Sequence, residues 1–130
     1  MPAYNFQKQF APLVESGQKC QTIRQTDKGA KVGQTAYLYY GQRTKQCRKL
    51  GEGTITEVWP IKIWLTYLGY PVAEIKYPGL QIPIIYTGYH IDNLAKDDGF
   101  QSGDEMVSWF AKQYGLPFNG FLHKWTLNKP

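Results

Sequence analysis

The sequence predicts an α+β domain, with a small curled or barrel-like sheet and three short helices. Three observations lead there. Apolar and polar residues alternate over several short runs, as in 54–59 and 120–127, which is the period of a half-buried strand. Aromatic residues make up 15% of the chain, with ten tyrosines and four tryptophans, and such rings favour sheets. A capping signal at Ser102 opens a run with helical spacing. At 130 residues the length suits one domain, residues 1–130, that can bury a core without disulfides.

Taken in order, Tyr4, Asn5 and Phe6 open as a short strand. A helix follows from Gln9 or Phe10, since Pro12 fits only the first turn of a helix. It ends at Ser16 before Gly17, a residue at ease with the positive φ that often follows a helix end. Residues 20–24 form the next strand. Its alternation predicts Gln18, Cys20, Thr22 and Arg24 on one face, and Lys19, Gln21 and Ile23 on the other. Asp27-Lys28-Gly29 is a turn, residues 35–40 an aromatic strand stopped by Gly41, and residues 42–49 a basic loop or hairpin arm. In residues 54–59, Ile55, Glu57 and Trp59 oppose Thr54, Thr56 and Val58; Pro60 interrupts the strand, which resumes or bends at a bulge over 61–65. Prolines and glycines divide residues 66–90 into short pieces, with 84–86 as an edge strand. Ile91, Leu94 and Ala95 mark a short amphipathic helix stopping near Gly99. Ser102 and Glu105 match a capping box, and Met106, Trp109, Phe110 and Tyr114 continue at helical spacing until Gly115 and Pro117. These rings read as core. Residues 120–127 close the sheet.

The net charge of +5 is unevenly spread: Lys19, Arg24, Lys28, Lys31, Arg43, Lys45, Arg48 and Lys49 face Asp27 alone within residues 19–49. Asp92, Asp97, Asp98, Asp104 and Glu105 give residues 92–105 the opposite bias. A basic half beside an acidic segment suits a polyanion partner, which cations bind by releasing counterions from phosphates; it also suits a solvated charged loop.

Cys20 and Cys47 form no CxxC pair, and with His90 and His123 they lack zinc spacing. The expectation is therefore no metal, no cofactor and a reducing, cytoplasmic setting. Neither a leader pattern nor an apolar run near the roughly 20 residues of a membrane span is present, so no membrane partner is expected. No GxSxG, Walker loop, GxGxxG or HExxH occurs.

The helix-to-strand corner is the richer candidate. A part-buried lysine near other cations gives up its proton more readily, which makes Lys19 a base or nucleophile. Thr22 supplies a hydroxyl, and Asp97 or Asp98 can complete a proton relay. Asp97-Asp98-Gly99 equally reads as a helix-stop turn, and Thr22 and Arg24 as a solvated strand face.

Gly17-x-Lys19-x-x-Thr22-Ile23-Arg24 with Val32-Gly33, then Leu94-Ala95-x-x-Asp98-Gly99-Phe100-x-Ser102 with Met106, Trp109-Phe110 and Tyr114-Gly115, resembles the ASCH domain of the PUA-like superfamily. The likeness runs from Phe6 to Trp125. It implies a small β-barrel with flanking short helices whose cleft receives RNA or a modified nucleoside. One branch comprises small bacterial amidohydrolases that deacetylate N4-acetylcytidine with a lysine, a threonine and a glutamate. Lys19 and Thr22 match that set, and Asp98 stands near the glutamate position with a shorter side chain. The region 40–90 is additional, and its Arg43, Lys45 and Arg48 are expected as further ligand or nucleic-acid contacts. Both departures favour a larger or different ligand. The resemblance thus implies RNA or nucleoside recognition, with amidohydrolysis as the alternative and a regulatory protein-interaction module as a third possibility. In recognition, Lys19 and Arg24 contact phosphate or a base edge, and Tyr39, Tyr40 or Trp59 stack on an unpaired base. In hydrolysis, Lys19 is base or nucleophile, Thr22 assists, Asp98 orients or protonates and Arg24 holds the ligand.

Overall fold

A computed structural model describes residues 2–128 of the chain. Seven strands make one mixed sheet: β1 (Ala3–Phe6), β2 (Gln21–Arg24), β3 (Thr35–Tyr40), β4 (Arg48–Leu65), β5 (Pro71–Ile75), β6 (Ile84–Tyr86) and β7 (Phe118–Leu127). Helix α1 (Ala11–Ser16) follows β1, and α2 (Gly88–Asp97) and α3 (Gly103–Tyr114) form a pair between β6 and β7. The class is α+β, as expected.

β4 is the spine. Near residues 53–54 it pairs with both β3 and β7, and at 61–63 with both β5 and β7. β3 and β5 therefore share one flank, and β7 holds the other. β1 extends β3 in parallel, β6 extends β5, and β2 extends β7. The sheet curls but does not close, because β1 and β2 are not paired. An open seam separates these two edge strands, and the Arg24 guanidinium crosses it, Nη2 donating to the Asn5 carbonyl at 3.0 Å.

Two local features of β4 differ from expectation. The strand runs through Pro60 without interruption. The Pro60 carbonyl accepts from Lys76 N at 3.0 Å, just beyond the last β4–β5 register pair, Ile61 with Ile75. The missing N–H thus falls at the end of a ladder, where proline costs least. The simple alternation over 54–59 also fails, since the register shifts between Ile55 and Glu57. One extra residue, Thr56, reverses which face the odd positions occupy. Ile55 pairs with Trp125 on one face, whereas Ile61 and Ile63 share the opposite face with Gly120 and Phe118. Both faces are buried. Phe110 of α3 packs on Phe118 with centroids 4.6 Å apart, and Tyr4 and Phe6 of β1 each lie 6.0 Å from Trp125.

The helix signals hold. Ser102 Oγ accepts from Glu105 N at 3.1 Å and starts α3. Asp92 Oδ1 of α2 accepts from Gly103 N at 2.7 Å, which locks the corner between α2 and α3. That corner carries residues 98–102, over the seam. The far edge of the sheet, β5 and β6, lies in the region where breakers obscured the strand pattern; β6 is an edge strand, as predicted.

Candidate functional site

Residues 17–20 reach the seam by a sharp turn rather than as a strand. Gly17 has φ 86° and Lys19 N donates to the Leu13 carbonyl at 2.9 Å. Strand geometry begins only at Gln21. The expected separation of Lys19 from Thr22 and Arg24 on opposite faces is therefore corrected: all three line one cavity. The chain has not yet entered its two-residue period at Lys19.

Lys19 and Asp98 are almost fully buried. Lys19 Nζ donates to the Asp98 main-chain carbonyl and lies 3.4 Å from Asp98 Oδ1. Gln21 Nε2 donates to the same Oδ1 at 3.2 Å and reaches the Leu94 carbonyl at 3.4 Å, so it holds the carboxylate against the end of α2. Arg24 Nε donates to Thr22 Oγ1 at 3.0 Å. Burial pushes the Lys19 amine below its ordinary 10.5; Asp98 opposes that push and Arg24 adds to it. Burial likewise raises the Asp98 carboxyl above 3.8, against the pull of Lys19, Gln21 and Arg24. Desolvation thus drives both partners toward their uncharged forms.

Asp98 does double duty. It is the C-cap of α2, its N–H donating to Leu94 and Ala95 carbonyls, so the helix-stop reading is correct. The same stop aims its side chain at Lys19. Gly99, with φ 97°, completes the turn; a Cβ there would stand 2.9 Å from the Phe10 ring and 3.2 Å from the Lys19 stem. Only glycine lets the acid approach the amine so closely.

The cavity is about 120 Å³ and lies between β1 and β2 beneath α3. Phe6, Phe10, Phe100, Trp109, Phe110 and Tyr114 form its aromatic walls. The Lys19 amine sits 5.0 Å from the Phe10 ring centre and 5.8 Å from that of Phe6, and the Arg24 guanidinium 5.1 Å from Phe6. These faces attract cations while excluding water. A larger hollow, about 560 Å³, lies over β4 and β7 beside Pro60, Lys62, Glu74 and Phe121. Its charged residues are not among the buried ones, so the seam is the site where charge has been taken out of water.

Of the other expected contact residues, Tyr39, Tyr40, Lys45, Arg48 and Trp59 are not among those lining the seam cavity. Trp59 packs edge-on to Tyr77 at 4.3 Å, on the far part of β4. Arg48 is tied to Glu15 and Lys49 to Glu52, which neutralises part of the basic segment. Arg43 lines a separate hollow that borders the seam at Asn5. Gln21, Asn5 and the aromatic walls were missed. Trp109 and Tyr114 read as core because helical spacing cannot distinguish a ring facing the core from one facing a cavity inside it.

His123 has no free ring nitrogen. Nδ1 lies 2.8 Å from Tyr4 Oη and Nε2 3.0 Å from the Thr26 carbonyl. A carbonyl only accepts, so Nε2 carries the proton and Nδ1 accepts from Tyr4. Burial lowers the His123 pKa and raises that of the Tyr4 hydroxyl to about 12. The histidine is a neutral structural link between β7 and β1.

Among the described residues no helix is long and apolar enough to cross a membrane. The arrangement can hold a planar, partly polar ring between aromatic faces and present to it one amine, one carboxyl, one hydroxyl and one guanidinium. Compared with models of protein families, with curated proteins and with solved structures, the chain matches none.

Proposed function

We propose that this chain is an ASCH-type protein of PUA-like topology, its open curl standing for the family's barrel, and that it binds RNA or a modified nucleoside with a base in the seam cavity. One observation carries the reading: the Lys19 amine and the Arg24 guanidinium open onto the same aromatic-walled hollow. Base edges offer acceptors to both cations, and base faces stack on rings. The test is a titration of single-stranded RNA and of cytidine and N4-acetylcytidine, followed by tryptophan fluorescence at two salt concentrations, with Trp109→Phe to assign the signal. Saturable binding that weakens in Arg24→Gln supports the reading. No binding of RNA or of either nucleoside ends it.

A second reading, amidohydrolysis of an N4-acylated cytidine, is favoured by the depressed Lys19 amine 3.4 Å from a carboxylate oxygen. In that reading the neutral amine takes a proton from the attacking water as its oxygen bonds to the acyl carbon. The proton passes by way of Asp98 to the departing cytosine nitrogen as the C–N bond breaks, while Thr22 and Arg24 donate to the developing oxyanion. Incubation with N4-acetylcytidine measures it directly, and absence of cytidine at high enzyme concentration removes it. A third reading, a regulatory protein-interaction module, draws on the exposed apolar residues of β6 and of the turns beside it; a partner lost on edge substitution and kept on seam substitution would select it.

A further inference from the structure

We propose that a basic groove outside the seam is a phosphoryl subsite, so that the ligand is a ring bearing an anionic arm: the ring enters the seam cavity and the arm lies against Lys28 and Arg43. The inference rests on the reading that the cavity takes a base, and adds what is attached to that base.

Size is the first argument. A cavity of about 120 Å³ is well below the roughly 300 Å³ at which pockets begin to enclose whole drug-sized ligands. A ring fits and its substituent must lie outside. The second hollow supplies the space: about 810 Å³, lined by Pro2, Ala3, Lys28, Gln42, Arg43 and Cys47, and also by Asn5, which lines the seam cavity too. Asn5 joins the two. Its carbonyl accepts from Arg24 in the seam, and its Oδ1 accepts from Gln42 N in the groove at 2.9 Å.

Charge is the second argument. Lys28 and Arg43 line the groove, and no carboxylate is among its lining residues; Asp27, next to Lys28 in the chain, is not one of them. Ion pairs among the described residues engage Lys19, Arg48, Lys49 and Lys124, and neither groove cation is in one. The Lys28 ammonium is 5.6 Å from the Tyr4 ring centre. Its pKa is lowered by burial and further by Arg24, so an anion at this place meets cations that already repel one another and that, at Lys28 and Arg43, are held in no ion pair.

Backbone conformation is the third. Among the described residues, Lys28 (φ 56°) and Arg43 (φ 66°) are the two non-glycine residues with positive φ. Glycine adopts this conformation freely and follows at Gly29 and precedes at Gly41, so a turn alone does not call for long cationic side chains. Both exceptions fall on the two cations of one groove, a coincidence of strain and chemistry that marks a functional site.

The experiment compares cytidine, cytidine 5′-monophosphate and ribose 5-phosphate in wild type and in the double variant Lys28→Gly/Arg43→Gly. Glycine suits both φ values, so the variant keeps its fold. Binding is read calorimetrically and by protection of the exposed Cys47 thiol from alkylation. The monophosphate is expected to bind wild type at least about tenfold more tightly than cytidine, one charge-assisted contact being worth that much. The ratio is expected to fall near one in the double variant and in high salt. Equal affinities for cytidine and its monophosphate in wild type overturn the subsite. If neither ring compound binds but ribose 5-phosphate protects Cys47 in wild type alone, the base reading fails and the subsite stands. A short RNA that binds more tightly than the mononucleotide identifies an internal strand phosphate as the source; equal binding identifies a free nucleotide.

Discussion

The seam and the far edge of the sheet invert the usual division between inside and outside. At the seam, Lys19, Gln21, Thr22 and Asp98 are buried, residue types that are mostly exposed in folded proteins. At the far edge, Leu68, Ile82, Ile84 and Ile85 are exposed, as are Tyr67, Tyr70 and Tyr89. The stretch 65–89 carries only Glu74 and Lys76 as charges. The seam is held by a few directed bonds in a dry pocket, where removing one partner strands another. The edge has no such dependence, since its side chains already meet water. Substitutions should therefore act on folding at the seam and on association at the edge.

The largest effect is expected from Asp98→Ala. It leaves the Lys19 ammonium buried without its counter-charge, and breaking a buried pair in this way costs about 3–5 kcal/mol. Urea unfolding at pH 7 should show that loss, and a smaller one as the solution is made alkaline and the amine, whose pKa burial lowers, gives up its proton. Lys19→Met/Asp98→Leu should recover most of the stability, because apolar replacement of both partners strands neither. A loss below about 1 kcal/mol for Asp98→Ala would mean that water reaches the pair and that the seam is not dry.

The same pair fixes a pH signature. The folded Asp98 carboxyl lies above its ordinary 3.8, so the folded chain holds a proton that the unfolded chain has lost. Its contribution is greatest below 3.8 and declines as pH rises through the folded value. The folded Lys19 amine lies below 10.5, so the unfolded chain holds the extra proton, and stability climbs as pH rises from the folded value toward 10.5. Relative to Lys19→Met/Asp98→Leu, wild type should show a trough at intermediate pH. A flat difference from pH 4 to pH 10 would deny the desolvation that separates seam from edge.

Arg24→Lys should have an intermediate effect. The guanidinium donates to Thr22 within β2 and to Asn5 across the open seam at once; an ammonium, a point charge on a flexible stem, cannot reproduce that fork. About 1–3 kcal/mol should be lost, with faster amide exchange in β1 as the specific readout. Unchanged exchange there would show that the guanidinium does not hold the two edge strands together.

Much of the seam was legible, because its chemistry is concentrated in one short motif and one helix stop. Gly17, Lys19, Thr22 and Arg24 lie within eight residues, and Asp98-Gly99 ends an amphipathic run. The facing of Lys19 was not legible: period-two reasoning applies only inside a strand, and the turn delays the strand to Gln21. Gln21 escaped for a different reason: it lies within the strand, and its role is set by Asp98, 77 residues away. The bulge at Thr56 follows from long-range pairing with β7, which no local pattern encodes. Nor does charge counting along the chain reveal that Arg48 and Lys49 are paired while Lys28 and Arg43 are not, because Glu15 comes to Arg48 from 33 residues away.

The smallest expected effect on folding lies at the far edge. Ile84 and Ile85 sit on β6, an edge strand paired on one side by β5, and both are exposed. An edge strand that presents apolar side chains and open backbone groups invites another strand, and a lysine there is a common natural deterrent. Ile85→Lys should leave the urea midpoint within about 0.5 kcal/mol of wild type, as for other surface sites. It should instead reduce whatever concentration-dependent association wild type shows in sedimentation. A loss of several kcal/mol would place Ile85 in the core and erase the contrast with the seam. A stable fold with unchanged sedimentation would show that the neighbouring turns already shield β6, leaving the exposed residues of the turn at 66–70 as the sticky part of the edge.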